Sequence, residues 1–79
     1  MKKEYEWARD AFTHASEVYP EECCGLIINV NNSEIYWKCK NISKAYKEKS
    51  FVIDPIDYAN GEDLGEVLGI VHSHPDGEL

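Results

Sequence analysis

The sequence predicts an α+β domain, a mixed β-sheet with packed helices in the element order α-β-β-β-α-β. Three observations support this class: helical hydrophobic spacing near the start, short apolar or alternating segments further along, and proline or asparagine residues at the boundaries between them. The chain has 79 residues, of which 43% are hydrophobic and 11% aromatic. A chain of this length forms one domain at most, and this composition is too apolar for a disordered segment.

A helix and a hairpin are predicted in the first half of the chain. Residues 5–19 place their apolar side chains at intervals of three and four, which is one face of a helix, and Pro20 ends it. Residues 24–30 are a short apolar run that favours a buried strand. Asn31-Asn32 indicates a turn, and the alternating residues 33–40 complete the hairpin.

The second half predicts two further strands around a short helix. Residues 41–49 are polar and predict a loop, and Phe51-Val52-Ile53 is a candidate third strand. Residues 54–64 predict a short helix, since the proline near its start suits the first helical turn. Residues 67–74 predict a fourth strand, which Pro75 ends.

The charge is distributed unevenly along the chain. The formal net charge is −7, and residues 51–79 hold seven acidic residues and no Lys or Arg, whereas residues 1–50 sum to zero. Nucleic acids and anionic lipid surfaces bind basic faces, so we expect neither as a partner. No apolar run approaches the ~20 residues that span a bilayer, and the first residues are too charged for a signal peptide. We therefore expect a cytoplasmic protein.

The three cysteines, Cys23, Cys24 and Cys39, do not have the spacing of a disulfide framework. They fit a reducing compartment. We expect them to be buried packing residues and not nucleophiles, because no sequence pattern places a histidine beside them. His14 lies inside the first predicted helix, and we expect it at the surface.

Two histidines and two acids are the candidates for chemistry. His72 and His74 are two residues apart on a predicted strand, so their side chains share a face and can reach one ion. The alternative is a surface histidine pair without a metal. Glu21 and Glu22 come just before an apolar strand, where a carboxylate is a candidate general base. The alternative there is two solvated loop acids.

Two separated segments resemble the JAMM/MPN (Mov34/PAD-1) metallopeptidases. Residues 20–27 resemble the Glu-x-Cys-Gly segment of that family, and residues 69–75 resemble its His-Ser-His-Pro zinc motif. Residues 51–58 are similar to the bacterial and phage branch, which includes the tail assembly protein K group of tailed phages. The resemblance spans roughly residues 14–79 and implies a cytidine-deaminase-like fold.

The resemblance implies a role for each matching residue. His72 and His74 would be zinc ligands, and Glu22 would be the general base that accepts a proton from the attacking water. Cys24 and Gly25 would be structural. The implied activity is hydrolysis of peptide or isopeptide bonds in a peptide or protein substrate, with zinc as the cofactor.

The family motif continues to a serine and an aspartate, and counting from His74 places both beyond Leu79. Asp76 or Glu78 could substitute for the third ligand, but their spacing does not predict it. We therefore expect a C-terminally incomplete domain of prophage origin, possessing little or no activity, with zinc weakly bound or absent. An incomplete sheet exposes an edge, and we expect copies of the chain to pair through it.

Two other hypotheses remain. The first is a non-catalytic MPN-like module that serves interaction or phage tail assembly, in the cytoplasm or associated with the phage. The second is an unrelated α+β domain. A structure that places Glu22 far from His72 and His74 would favour the unrelated domain.

Overall fold

The computed structural model describes residues 6–75, and it confirms the α+β class. Its elements in chain order are helix α1 (Glu6–Val18), strands β1 (Cys24–Val30) and β2 (Ser33–Cys39), helix α2 (Pro55–Leu64) and strand β3 (Glu66–His72). The predicted first residue of α1, Tyr5, lies outside the described residues. Neither described helix combines the length and the hydrophobicity that a bilayer crossing needs.

Strand β1 is the middle strand of the sheet that the described residues form, which is antiparallel with the order β2-β1-β3. Cys24, at the start of β1, lies opposite Cys39 of β2 on one side and His72 of β3 on the other. A middle strand is screened by both neighbours, and the side chains of Cys24, Leu26 and Ile28 are fully buried. This register places the end of β3 beside the start of β1.

Asn31 and Asn32 form the turn between β1 and β2. Their φ angles are 51° and 68°, in the left-handed region that a two-residue hairpin turn of type I′ requires at both central positions. Asparagine adopts this conformation more readily than most other non-glycine residues. The predicted hairpin is therefore confirmed.

The two helices pack on opposite faces of the sheet. Successive side chains of a strand point to opposite faces, and two consecutive residues of β2 contact different helices. Tyr36 contacts α1, with 2.7 Å between its hydroxyl oxygen and Nδ1 of His14. Trp37 contacts α2, where its Nε1–H donates to the carbonyl oxygen of Asp57 over 2.9 Å. The buried core lies between the sheet and α2 and consists of Cys24, Leu26, Ile28 and Cys39.

Helix α2 begins as its sequence predicts. The Asp54 carboxylate accepts a hydrogen bond from the Ile56 N–H over 2.9 Å and so caps the first turn, which Pro55 opens. Asp57 also fixes the helix to the residue that follows β2, since its carboxylate accepts the Lys40 N–H over 2.8 Å. The helix is therefore held at its start by bonds to the segment that leaves β2.

The candidate third strand, Phe51-Val52-Ile53, is not a strand in the structure. It forms an isolated bridge between Ile53 and Asn41. The physical reason is that the Val52 N–H donates to the Asn41 side chain over 3.2 Å, so the backbone partner of a ladder is replaced by an amide side chain. Phe51 and Ile53 still pack against the core. The Ile53 bridge is antiparallel, as are both strand pairs of the described sheet, so this sheet is antiparallel and not mixed.

Candidate metal centre

Glu22 is held at the entrance to β1 by the 41–52 segment, which comprises residues 41–52 between β2 and α2. The Glu22 N–H donates to the carbonyl oxygen of Lys47 over 2.6 Å, and its own carbonyl oxygen accepts from Asn41 Nδ2 over 3.1 Å. Glu22 is buried, with 5% of its surface exposed. Its carboxylate needs a partner within the fold, because burial of an unpaired charge is costly.

The end of β3 is fixed beside Glu22 by backbone pairing. His72 stands opposite Cys24 in the register of β1 with β3. One residue further, the Ser73 N–H donates to the carbonyl oxygen of Cys23 over 3.2 Å, and the Cys23 N–H donates to Ser73 Oγ over 2.8 Å. The attachment of β3 to the chain before β1 therefore continues one residue past the ends of both strands.

Three potential metal ligands meet at this end of the sheet. Side chains alternate along an extended chain, so Glu22 emerges on the face of Cys24, and His74 emerges on the face of His72. Glu22 Oε1 lies 3.5 Å from His72 Nδ1. The rings of His72 and His74 meet edge to face with 4.7 Å between their centroids. One ligand atom from each of Glu22, His72 and His74 lies within 4.8 Å of the other two.

The donor atoms of this group suit zinc. Imidazole nitrogens and carboxylate oxygens bind zinc at about 2.0–2.2 Å, which places neighbouring ligand atoms of a tetrahedral site roughly 3.3–3.5 Å apart. The contact between Glu22 and His72 has this spacing. The other two separations within the group both involve His74, and they can close by rotation of its exposed ring. When His72 is protonated and no metal is bound, the same contact is an ion pair with Glu22.

Phe51 supports His72 from the 41–52 segment. The two rings stack with 4.5 Å between centroids and an interplanar angle of 23°. This segment therefore contacts the backbone of Glu22 and the ring of His72. Sequence reasoning missed both Phe51 and Asn41 as supporting residues, because an apolar residue and a loop asparagine carry no signal that distinguishes such a role.

Glu21 is not a member of the group, although the sequence pattern alone did not distinguish it from Glu22. It lines a cavity of about 550 Å³ that borders α1, the end of β2 and the 41–52 segment. Asp76 and Glu78, the possible substitutes for a third ligand, lie outside the described residues.

The three cysteines are buried free thiols, as predicted. Burial raises the pKa of Cys24 to about 12 and the pKa of Cys39 to about 11. Both thiols are therefore protonated at neutral pH, which is unsuitable for a nucleophile.

The expectation of a surface position for His14 is wrong, because its ring is buried against Tyr36 of β2. Burial, and then the nearby charge of Lys38, lower the pKa of His14. A neutral ring with its proton on Nε2 can accept a hydrogen bond from the Tyr36 hydroxyl. His14 is accordingly a bonded interior histidine that joins α1 to the sheet, and it is not a member of the Glu22 group.

Fold and site together define a class of protein: an α+β domain in which a buried glutamate faces a histidine pair at the end of a neighbouring strand. The chain belongs to the prokaryotic homologs of the JAB domain, a family whose model matches residues 5–79. This membership confirms the resemblance to the JAMM/MPN family. The hypothesis of an unrelated α+β domain is therefore wrong.

A phage protein shares much of this sequence. The tail tip assembly protein K of Escherichia phage N15 is 48% identical over 63 residues, which cover 80% of this chain and 26% of the phage protein. The chain thus spans about a quarter of that relative's length. The predicted similarity to the phage branch is confirmed, and no solved structure matches the chain.

Proposed function

We propose that this chain carries the general base and two metal ligands of a JAB-type, zinc-dependent peptidase or isopeptidase. The observation that supports this most directly is the buried carboxylate of Glu22, which lies 3.5 Å from Nδ1 of His72 and beside His74. Membership of a family that is usually zinc-dependent supports the same metal. A net charge of −7 is unfavourable for nucleic-acid or anionic membrane partners. The resemblance to the JAMM/MPN metallopeptidases implies a peptide or protein substrate.

Each residue of the group has a distinct task in this proposal. His72 and His74 hold the zinc ion, which when bound polarises a carbonyl group and acidifies water. Glu22 accepts a proton from the water that attacks the carbonyl carbon, and delivers it to the amine that leaves as the C–N bond breaks. Burial of Glu22 and stacking of Phe51 on His72 restrict both side chains to the orientation that this transfer needs.

The ligand count limits what this segment does alone. A catalytic zinc site keeps three protein ligands, and two histidines leave one position to fill when the carboxylate serves as the base. We therefore expect residues 1–79 alone to bind zinc weakly and to hydrolyse little. The family motif adds a serine and an aspartate further along, and we expect activity from longer proteins that include them.

Zinc titration against a competing chelator tests the metal site. We expect the chain to bind one equivalent, and His72→Ala and His74→Ala to lose at least about tenfold in affinity. His14→Gln is the matched control, because this histidine bonds to Tyr36 and is not a member of the group. Equal affinities in all three variants would contradict the metal site.

Hydrolysis is tested in a chimera that continues from this chain into the following segment of the phage N15 protein. We expect Glu22→Gln to lower kcat by about 100-fold or more, the usual contribution of a general base, with KM little changed. Glu21→Gln is the matched control, since the neighbouring carboxylate is not a member of the group. Similar rates in both variants would remove Glu22 from the reaction.

A second candidate function is a non-catalytic module for phage tail assembly, in the host cytoplasm or on the phage particle. The name of the phage N15 relative supports it. An apolar groove of about 340 Å³ between α1 and β3, lined in part by Phe12 and Val71, supports it as well. Within the described residues the outer edge of β3 pairs with no strand, and a second copy could add one there.

The two candidates differ in what the histidines are needed for. Tail assembly that survives combined substitution of His72 and His74 by alanine supports the module, whereas loss of assembly in Glu22→Gln supports the enzyme. Pairing of copies is measured by sedimentation. We expect Ile70→Lys, a charge on the exposed strand β3, to reduce any dimer, and Lys44→Glu at an exposed position of the 41–52 segment to leave it unchanged.

A further inference from the structure

The side-chain amide of Asn41 makes four hydrogen bonds within the 41–52 segment and to Glu22. Nδ2 donates to the carbonyl oxygens of Glu22, over 3.1 Å, and Ser50, over 3.0 Å. Oδ1 accepts from the N–H groups of Ser43, over 3.0 Å, and Val52, over 3.2 Å. Two donors and two acceptor lone pairs are the whole capacity of an amide, so this side chain is fully used.

The rest of the 41–52 segment reinforces the same attachment. Ser43 Oγ lies 2.8 Å from Ser50 Oγ, and Ser50 Oγ donates to the carbonyl oxygen of Tyr46 over 2.9 Å. These bonds close the segment on itself. The closed segment then presents the Lys47 carbonyl oxygen to the Glu22 N–H.

We propose that Asn41 is a positioning residue for Glu22: its amide fixes the Glu22 backbone so that the carboxylate is aimed at His72 and His74. This inference rests on the proposed function, in which those three residues form the metal centre. The bond from Nδ2 holds the carbonyl side of Glu22, while Lys47 holds its N–H side. Both ends of one residue are therefore anchored to one segment, and the carboxylate extends from a fixed backbone.

Other side chains do not reproduce this arrangement. Aspartate has the shape of asparagine and keeps both acceptor bonds, but its carboxylate would face the carbonyl oxygens of Glu22 and Ser50 without a proton to donate. Serine and threonine have one donor. Of these four side chains, asparagine is therefore the one that can shape the segment and hold Glu22 at the same time.

A purely structural role for Asn41 is the competing interpretation, and Ser43 provides the matched control for it. Ser43→Ala removes hydrogen bonds that close the same segment, to Ser50 Oγ and from the Ala45 N–H, without removing a bond to Glu22. If loss of segment stability were all that mattered, Asn41→Ala and Ser43→Ala would affect the metal centre in proportion to their effects on unfolding.

The first measurement uses the metal-free chain. Crystal structures of Asn41→Ala and Ser43→Ala give the distance from Glu22 Oε1 to His72 Nδ1, which is 3.5 Å in the unsubstituted protein. We expect this distance to increase by about 1 Å or more in Asn41→Ala, a displacement that matters at a reacting centre, and to remain unchanged in Ser43→Ala. If Asn41→Ala does not fold, Asn41→Asp replaces it, since aspartate retains the two acceptor bonds that shape the segment.

The second measurement uses cobalt(II) as a spectroscopic substitute for zinc in the same chains. When no substrate is present and Glu22 is not acting as the base, its carboxylate can fill the ligand position that the two histidines leave open. We therefore expect Asn41→Ala and Asn41→Asp to weaken metal binding about 10- to 100-fold and to alter the visible absorption of bound cobalt. The added negative charge of aspartate alone would strengthen cation binding, so weakening in that variant indicates lost geometry. In a Glu22→Gln background, the same substitutions should have little further effect, because their action passes through Glu22.

The outcomes separate this inference from the function on which it rests. If no chain binds a metal, the metal centre fails, and the metal-free distances still decide the role of Asn41. If the distance and the cobalt spectrum are unchanged in the Asn41 variants, or change equally in Ser43→Ala, the positioning role is wrong. If the distance changes in the Asn41 variants alone, Asn41 positions Glu22 whatever the metal affinity.

Discussion

The two outer strands of the sheet, β2 and β3, are both seven residues long and both pair antiparallel with β1, yet they are held very differently. Strand β2 is attached through its side chains to a helix on each face, by Tyr36 to α1 and by Trp37 to α2. Strand β3 leaves Leu68 and Ile70 exposed, at 46% and 55% of their surfaces. Its attachment is mainly the backbone pairing with β1.

This difference suggests that one outer strand mainly stabilises the fold and that the other mainly positions the proposed metal ligands. The side chains of β2 and the helices around it form the core, while the end of β3 and the residues that follow it carry the two histidines that we propose as metal ligands. Substitutions in β2 should therefore destabilise the metal-free fold more than substitutions in β3, and substitutions of the two histidines should mainly affect metal binding.

Trp37→Ala is expected to have the largest effect on stability. It removes the indole that packs against α2 and its hydrogen bond to Asp57, and large aromatic truncations cost about 3–5 kcal/mol. The whole free energy of unfolding of a domain this size is roughly 4–12 kcal/mol. Ile70→Ala on β3 should stay within about 1 kcal/mol. Urea unfolding measures both, and equal losses would contradict the contrast between the strands.

Gly25→Ala tests how closely β1 and β2 approach. A methyl group at Gly25 would collide with the Tyr36 ring, and that ring cannot move freely because its hydroxyl is bonded to His14. We expect a loss of about 1–3 kcal/mol, typical of overpacking. Gly69→Ala on β3 is the control, since its new methyl group would meet no atom within 4 Å. Thermal unfolding that ranks these two variants in the opposite order would show that Tyr36 is not constrained.

Much of this arrangement follows from local sequence patterns. The helical spacing before Pro20, the Asn31-Asn32 turn and the proline after Asp54 predicted α1, the hairpin and α2, because each is a local preference of the backbone. Fifty residues separate Glu22 from His72, and their approach depends on the pairing of β1 with β3. No periodicity contains that information, and only the resemblance to a family indicated it.

The failures have the same origin in contacts distant along the chain. The apolar triplet at residues 51–53 predicted a strand, but Asn41 replaced the strand partner of Val52 with a side-chain oxygen. His14 was expected at the surface because it lies between apolar positions of the helix. Its burial depends on the Tyr36 ring from another element, which the sequence of α1 cannot reveal.

Zinc should stabilise the folded chain by tying β3 to Glu22. Binding to the folded state alone adds about 1.4 kcal/mol at a free zinc concentration ten times Kd. Combined substitution of His72 and His74 by alanine should abolish this gain. It should also lower the metal-free stability, because His72 stacks on Phe51 and lies beside the buried carboxylate of Glu22. His14→Gln should keep the gain. Thermal unfolding with and without zinc measures these differences, and a zinc-induced gain that survives the loss of both histidines would place the metal elsewhere.

Acid should weaken the attachment of β2 to α1, with the smallest effect of the four. Burial and the charge of Lys38 lower the pKa of His14 in the folded chain, while Glu17 partly opposes them. The unfolded chain then binds more protons below the ordinary value of 6.5, so the free energy of unfolding falls as the pH decreases from there towards the lowered pKa. Urea unfolding across this range should show a steeper decline for the unsubstituted chain than for His14→Gln, a comparison in which every other residue is the same in both chains. Parallel curves would mean that His14 has the same proton affinity in the folded and the unfolded chain. Contacts other than the bond between His14 and Tyr36 would then attach β2 to α1.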